Sequence, residues 1–320
     1  KRRGEFMRKP GVFVILLFFL LLISCEQKEM IKEEKESDDI YYSFKHPETG
    51  QEYQIVHAYK LYENYKEKMK EDSSKPNFWQ FDEEVIEPIV DACYQDAVFF
   101  AGNFDLTVKA PENMEEINEI IKIMDEKKLN KTIQEALLKS SDYISSENKT
   151  NICIFPVEED QITHGMDAWG AGKISVYYNK YYSEEFIKTT IAHEYNHSVW
   201  FEKYYKEDEE ETVLDRLILE GKAVMFQKLV YPDIEVENLY YNFKKDFWKQ
   251  IEPDLQTYDL KRASEILNGG DKLPPNYGYS EGYNMVRTYL NKHPDLTPEE
   301  WTGLTSQEIF EEGNYIEHYQ

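Results

Sequence analysis

His193-Glu194-Tyr195-Asn196-His197 is the stretch that most narrows what this chain can fold into. Two imidazoles four residues apart reach one metal ion when the segment is helical, because i and i+4 then lie one turn apart on one face. The same helix brings Glu194 beside the metal, where a carboxylate serves as base toward a water molecule. The pattern is short and also occurs on surface helices that bind nothing, so its surroundings decide.

Those surroundings agree with a site. Residues 151–157 and 173–179 are rich in β-branched and aromatic residues and read as strands, joined by a loop containing Gly165, Gly170 and Gly172. Ser183 is a good N-cap with Glu184 and Glu185 in the first turn, so the motif falls mid-helix. Ile187, Ile191, Tyr195 and Val199 line one stripe of that helix, with His193 and His197 on the next. Downstream, Val213, Leu217, Glu220 and Val224 recur at helical spacing, which puts Glu220 on an inward face. A carboxylate there needs a partner: a metal shared with the two histidines, or else Lys222 or Arg216. Gly221 costs roughly 1 kcal/mol relative to alanine in a helix. Its presence predicts close approach of the two helices at the metal. The expected centre is Zn2+ held by His193, His197 and Glu220, with a fourth position open. The other histidines (His46, His57, His164, His293, His318) read as surface or loop residues, with His164 placed near the site by its Gly-rich loop.

Upstream, residues 40–55 read as a small hairpin. Residues 58–70, 83–100, 113–128 and 130–145 read as helices, with Pro88 marking a start or kink in the second. The fold class is therefore α+β and mainly helical, with a small sheet. The expected organisation is a leader over residues 1–25, a charged tether over 26–40, a mostly helical region over 41–150 and the metal-bearing domain over 151–320. Cys93 and Cys153 either pair or remain buried thiols; their spacing leaves both open.

The first segment reads as an export signal. Met7 is the expected initiator, Arg8 and Lys9 supply positive charge, and Val12 to Ile23 is an uncharged apolar run. That run is short for a membrane span, which needs roughly 20 residues. It closes in Leu22-Ile23-Ser24-Cys25, which resembles the lipobox of bacterial lipoproteins. That resemblance implies lipid on Cys25 and an extracytoplasmic protein tethered to the membrane. A simple anchor with an incidental cysteine is the alternative. The net charge of −25 argues against nucleic acid or an anionic surface as a partner.

The stretch Ala192 to His197, with Leu219-Glu220-Gly221-Lys222-Ala223, resembles the gluzincin class and, within it, the DUF2268 family of predicted zinc-dependent proteases. The likeness runs from Asn151 onward. It takes in Gly278-Tyr279-Ser280-Glu281-Gly282-Tyr283 and a helix expected over 284–291. It implies a peptidase, of the metalloendopeptidase type, acting on peptide or protein. Glu194 is then the general base, and Tyr279, ahead of Tyr277 and Tyr283, donates to the oxyanion. Thermolysin-type gluzincins carry an acid four residues after the third ligand; here that position is Val224, and Asp215 is the expected substitute support. The strand over 173–179, through Ile174 and Val176, is expected to offer an edge to an extended peptide. The competing reading is a non-catalytic, metal-stabilised lipoprotein acting as a binding or scaffold module. The sequence shows no repeated β/α units of the kind usual in solute-binding lipoproteins, which argues against a binding module, and the intact Glu194 argues against a scaffold, because a structural metal needs no base.

Overall fold

Strand β3 (Thr150–Pro156) is buried along its whole length, and the rest of the sheet is arranged about it. The computed structural model describes residues 40–98, 109–159, 165–236, 239–270 and 272–320. Met7, Cys25, the tether over 26–39 and His164 lie outside the described residues. Residues 40–320 form one compact unit.

The strands are β1 (Tyr41–Lys45), β2 (Glu52–Val56), β3, β4 (Met166–Gly170) and β5 (Lys173–Tyr178). The helices of the first half are α1 (Tyr62–Glu71), α2 (Asn77–Phe81), α3 (Val90–Cys93), α4 (Met114–Ile123) and α5 (Glu126–Ser141). The second half adds α6 (Glu184–Lys203), α7 (Val213–Val230), α8 (Lys245–Ile251), α9 (Leu260–Asn268), α10 (Tyr277–Lys292), α11 (Pro298–Gly303) and α12 (Ser306–Glu312). The mainly helical α+β class expected from the sequence is the one observed.

The sheet runs β1-β2-β3-β5-β4. Its β2–β3 and β3–β5 pairs are parallel, and its outer pairs are antiparallel. The strand period of two sorts β3 between two cores. Ile152 and Ile154 pack with Ile191, Tyr195 and Val199 of α6. Cys153 and Phe155 face Tyr62, Phe81 and Val85 on the other side. Full burial of a side chain such as Ile191 stabilises by roughly 1.5–3 kcal/mol. A third core gathers α7 to α10 around Leu217, Trp248 and Met285.

Several expectations need correction. The glycine-rich segment is not simply a loop, because it contains β4, which folds back antiparallel on β5. Strand β5 is consequently interior, paired on both sides, and Ile174 and Val176 are buried in the first core. The edge beside the site is β4. The sheet also crosses residue 150, since β2 pairs with β3, so the residues before 150 share a core with those after it. The helix expected over 83–100 is broken: Pro88 lacks the N–H that continues a ladder, and wide, tight and regular turns succeed one another up to Cys93. His46 and His57 are buried, each with a side-chain partner, Asp142 and Asn130. Cys93 and Cys153 form a disulfide that pins α3 to β3.

Gly221 does mark a close approach, but toward α10 rather than α6. A Cβ there would meet the backbone carbon of Gly282 at 2.1 Å, and one on Gly282 would meet the Leu217 carbonyl oxygen at 1.8 Å. Backbone on backbone leaves nothing flexible to yield. Gly282→Ala should therefore destabilise the protein by roughly 3 kcal/mol in urea unfolding. Wild-type stability in that variant would contradict the packing.

Candidate metal centre

Helix α6 begins where Ser183 Oγ accepts from the Phe186 N–H. Its buried stripe lies on the sheet, which turns the His193 and His197 edge toward α7. Three side chains from the helix fix its position. Tyr195 donates its hydroxyl to Gln51 Oε1 and the Ile144 carbonyl. Ser198 Oγ accepts from the Gly172 N–H in the β4–β5 turn at 2.7 Å. Asn196 donates to Thr302 Oγ1 at 3.1 Å.

Helix α7 starts with a capping box between Thr212 and Asp215. This corrects the role expected for Asp215. Its carboxylate accepts from both the N–H and the hydroxyl of Thr212, so it secures the helix start rather than a metal ligand. The other candidate partners for Glu220 make contacts of their own. Lys222 donates to the Thr302 and Leu304 carbonyls at 2.9 and 2.5 Å, and Arg216 pairs with Glu211 at 3.3 Å. Asn196 and Lys222 thus grip the same segment, which holds α6 and α7 at a set spacing.

Across that gap stand three buried ligand atoms. His193 Nε2, His197 Nε2 and Glu220 Oε2 are each 3.1 Å from the other two. Protons alone suit this triangle poorly. If both imidazoles donate to Glu220, their N–H groups also face each other. A single cation accepts all three lone pairs. Ligands on a tetrahedral zinc with bonds of about 2 Å stand about 3.3 Å apart, so the triangle fits one face of that coordination.

Burial pushes the Glu220 carboxyl up, but the charge and hydrogen bonds of His197 and His193 outweigh it and hold it well below the usual range. Burial lowers His197, against the pull of Glu220, which favours the neutral, metal-binding imidazole. Glu194 is pushed well above the carboxylate range by burial, then by Asp167 and Glu220, with the Ala168 N–H opposing. That N–H, from β4, donates to Glu194 Oε2 at 2.8 Å.

These groups open into a cavity of about 510 Å³, bounded by β4, α6, α7, residues 234–236 and the start of α10. Tyr279 lines it, with its ring 6.3 Å from that of His193. Glu220, burial and Glu194 keep its phenol protonated. Tyr277 and Tyr283 are not brought in: they pack against Phe247 and Tyr241. The motif 278–283 lies within α10, not before it. Sequence reasoning missed Ala168, Asp167 and Thr302. The Met-Asp-Ala-Trp alternation between Gly165 and Gly170 was the one signal for the first two.

The fold and site thus define a mainly helical α+β domain with a buried His-His-Glu group able to hold a metal ion. More narrowly, the chain belongs to the DUF2268 family, described as predicted zinc-dependent proteases, which it matches over residues 129–311. Neither a curated protein nor a solved structure matches it significantly.

The triangle predicts one tightly held zinc per chain. His193→Ala and Glu220→Ala should each weaken it by more than about a hundredfold in chelator competition. Asp215→Ala should leave zinc affinity intact and cost about 1 kcal/mol of stability. A large zinc defect in Asp215→Ala would restore the supporting role.

Proposed function

We propose that the protein is an extracytoplasmic, membrane-tethered zinc peptidase. The observation that carries the reading is the ligand triangle with a carboxylate beside it, held by a donor from an edge strand. A zinc ion bound there supplies a Lewis acid that polarises a peptide carbonyl and acidifies water.

The chain's own residues then divide the work. His193, His197 and Glu220 would hold the ion at the wall of the cavity. Glu194 Oε2 stays with the Ala168 N–H, and its other oxygen takes a proton from water and returns it to the leaving amine. The protonated Tyr279 hydroxyl donates to the carbonyl oxygen as negative charge develops on it. Strand β4 orients the substrate. Its pairing with β5 uses the backbone of Asp167, so the backbone groups of Met166 and the Ala168 carbonyl face outward beside the Ala168–Glu194 contact, where an extended peptide can add as a further strand.

Two features support an extracytoplasmic location: the lipobox-like segment ending at Cys25, and the Cys93–Cys153 disulfide, which suits an oxidising compartment. Lipid on Cys25 would hold the domain at the membrane surface. Labelled palmitate should enter the wild-type protein in cells and not Cys25→Ala; equal labelling of both contradicts the anchor.

For catalysis, Glu194→Gln should keep its zinc and lose roughly 10²–10⁴ in kcat on a peptide library. Tyr279→Phe should lose roughly 10²–10³ in kcat with KM little changed. Full turnover by zinc-loaded Glu194→Gln would remove the assigned base and the peptidase mechanism with it.

A further inference from the structure

Asp167 sits on the substrate-facing edge strand, one residue before the donor that holds Glu194. It lines the same cavity as the metal ligands. Its neighbours Met166 and Ala168 lie on the α6 side of β4, with the first core. Asp167 therefore lies on the opposite face, with Trp169 and Tyr177, and the Tyr177 hydroxyl donates to its carboxylate. It shares the cavity wall with Glu194 and Tyr279.

Among the described side chains that line the cavity, carboxylates outnumber basic groups other than the histidines. Glu185 and Glu235 line it as well, and Arg216 is the sole Lys or Arg among its described lining residues. Arg216 is engaged by Glu211. An extended peptide added to β4 presents alternate side chains on the Asp167 face, and opposite charges across a strand pair attract.

We propose that Asp167 is the subsite for a cationic group of the substrate next to the scissile bond, an ammonium or guanidinium from a Lys or Arg side chain or from a free amino terminus. The proposal rests on the peptidase reading for its substrate. Its test therefore uses binding, which does not need turnover.

Zinc-loaded Glu194→Gln serves as the receptor, with and without Asp167→Asn, after equal zinc content has been confirmed. Fluorescent peptides carry Lys or norleucine at each position, with free or acetylated amino termini. The cationic peptides should bind roughly tenfold tighter than their neutral partners, equivalent to about 1.4 kcal/mol. That ratio should fall to near one in Asp167→Asn. A ratio that vanishes on acetylation identifies the amino terminus; one that vanishes with norleucine identifies a side chain. Equal binding of all peptides, no binding, or a preference that survives Asp167→Asn would overturn the subsite. The same peptides given to the wild-type enzyme separate the two claims. Preference without cleavage sinks the peptidase reading and keeps the subsite; cleavage without preference does the reverse.

Discussion

The buried carboxylate of Glu220, facing two imidazole nitrogens, is the constraint around which the structure is arranged. Removing an ionised carboxylate from water costs several kcal/mol unless opposite charge compensates it. Here the groups that face it are the His193 and His197 ring nitrogens, each 3.1 Å from Glu220 Oε2. A divalent cation between the three would supply permanent opposite charge. Metal binding would thereby be linked to the stability of this half of the protein, most strongly where the ligands are deprotonated.

Holding three ligand atoms 3.1 Å apart requires two helices to keep their spacing, and the fold supplies this from both sides. The sheet fixes α6 through the stripe from Ile187 to Val199. The Gly221–Gly282 contact fixes α7 on α10, which also carries Tyr279. Asn196 and Lys222 close the arrangement by binding the segment at Thr302. Residues of the two sequence motifs thus divide between those facing the cavity and those holding the scaffold. The edge strand completes the site by giving Glu194 a fixed donor.

Much of this is legible in the sequence, because the decisive signals are local. Helix periodicity places His193, His197 and Glu220 on faces that can meet, and Ser183 announces the start of α6. What is not legible is non-local. Strand β4 is short and set between glycines, so its alternation is too brief to register, and the edge position falls to β5 instead. Gly221 signals a close approach, but a helical period cannot say which helix comes near. The Thr212–Asp215 cap is visible as a spacing, yet a carboxylate near a metal motif invites a metal role. His46 and His57 are buried by partners nearly 100 and more than 70 residues away, Asp142 and Asn130.

The most direct measurement is anomalous diffraction at the zinc edge from crystals of the zinc-loaded protein. The account predicts one strong peak about 2.0–2.2 Å from His193 Nε2, His197 Nε2 and a Glu220 carboxylate oxygen. A peak elsewhere, or zinc-loaded crystals in which these three atoms bond only to one another, would contradict it.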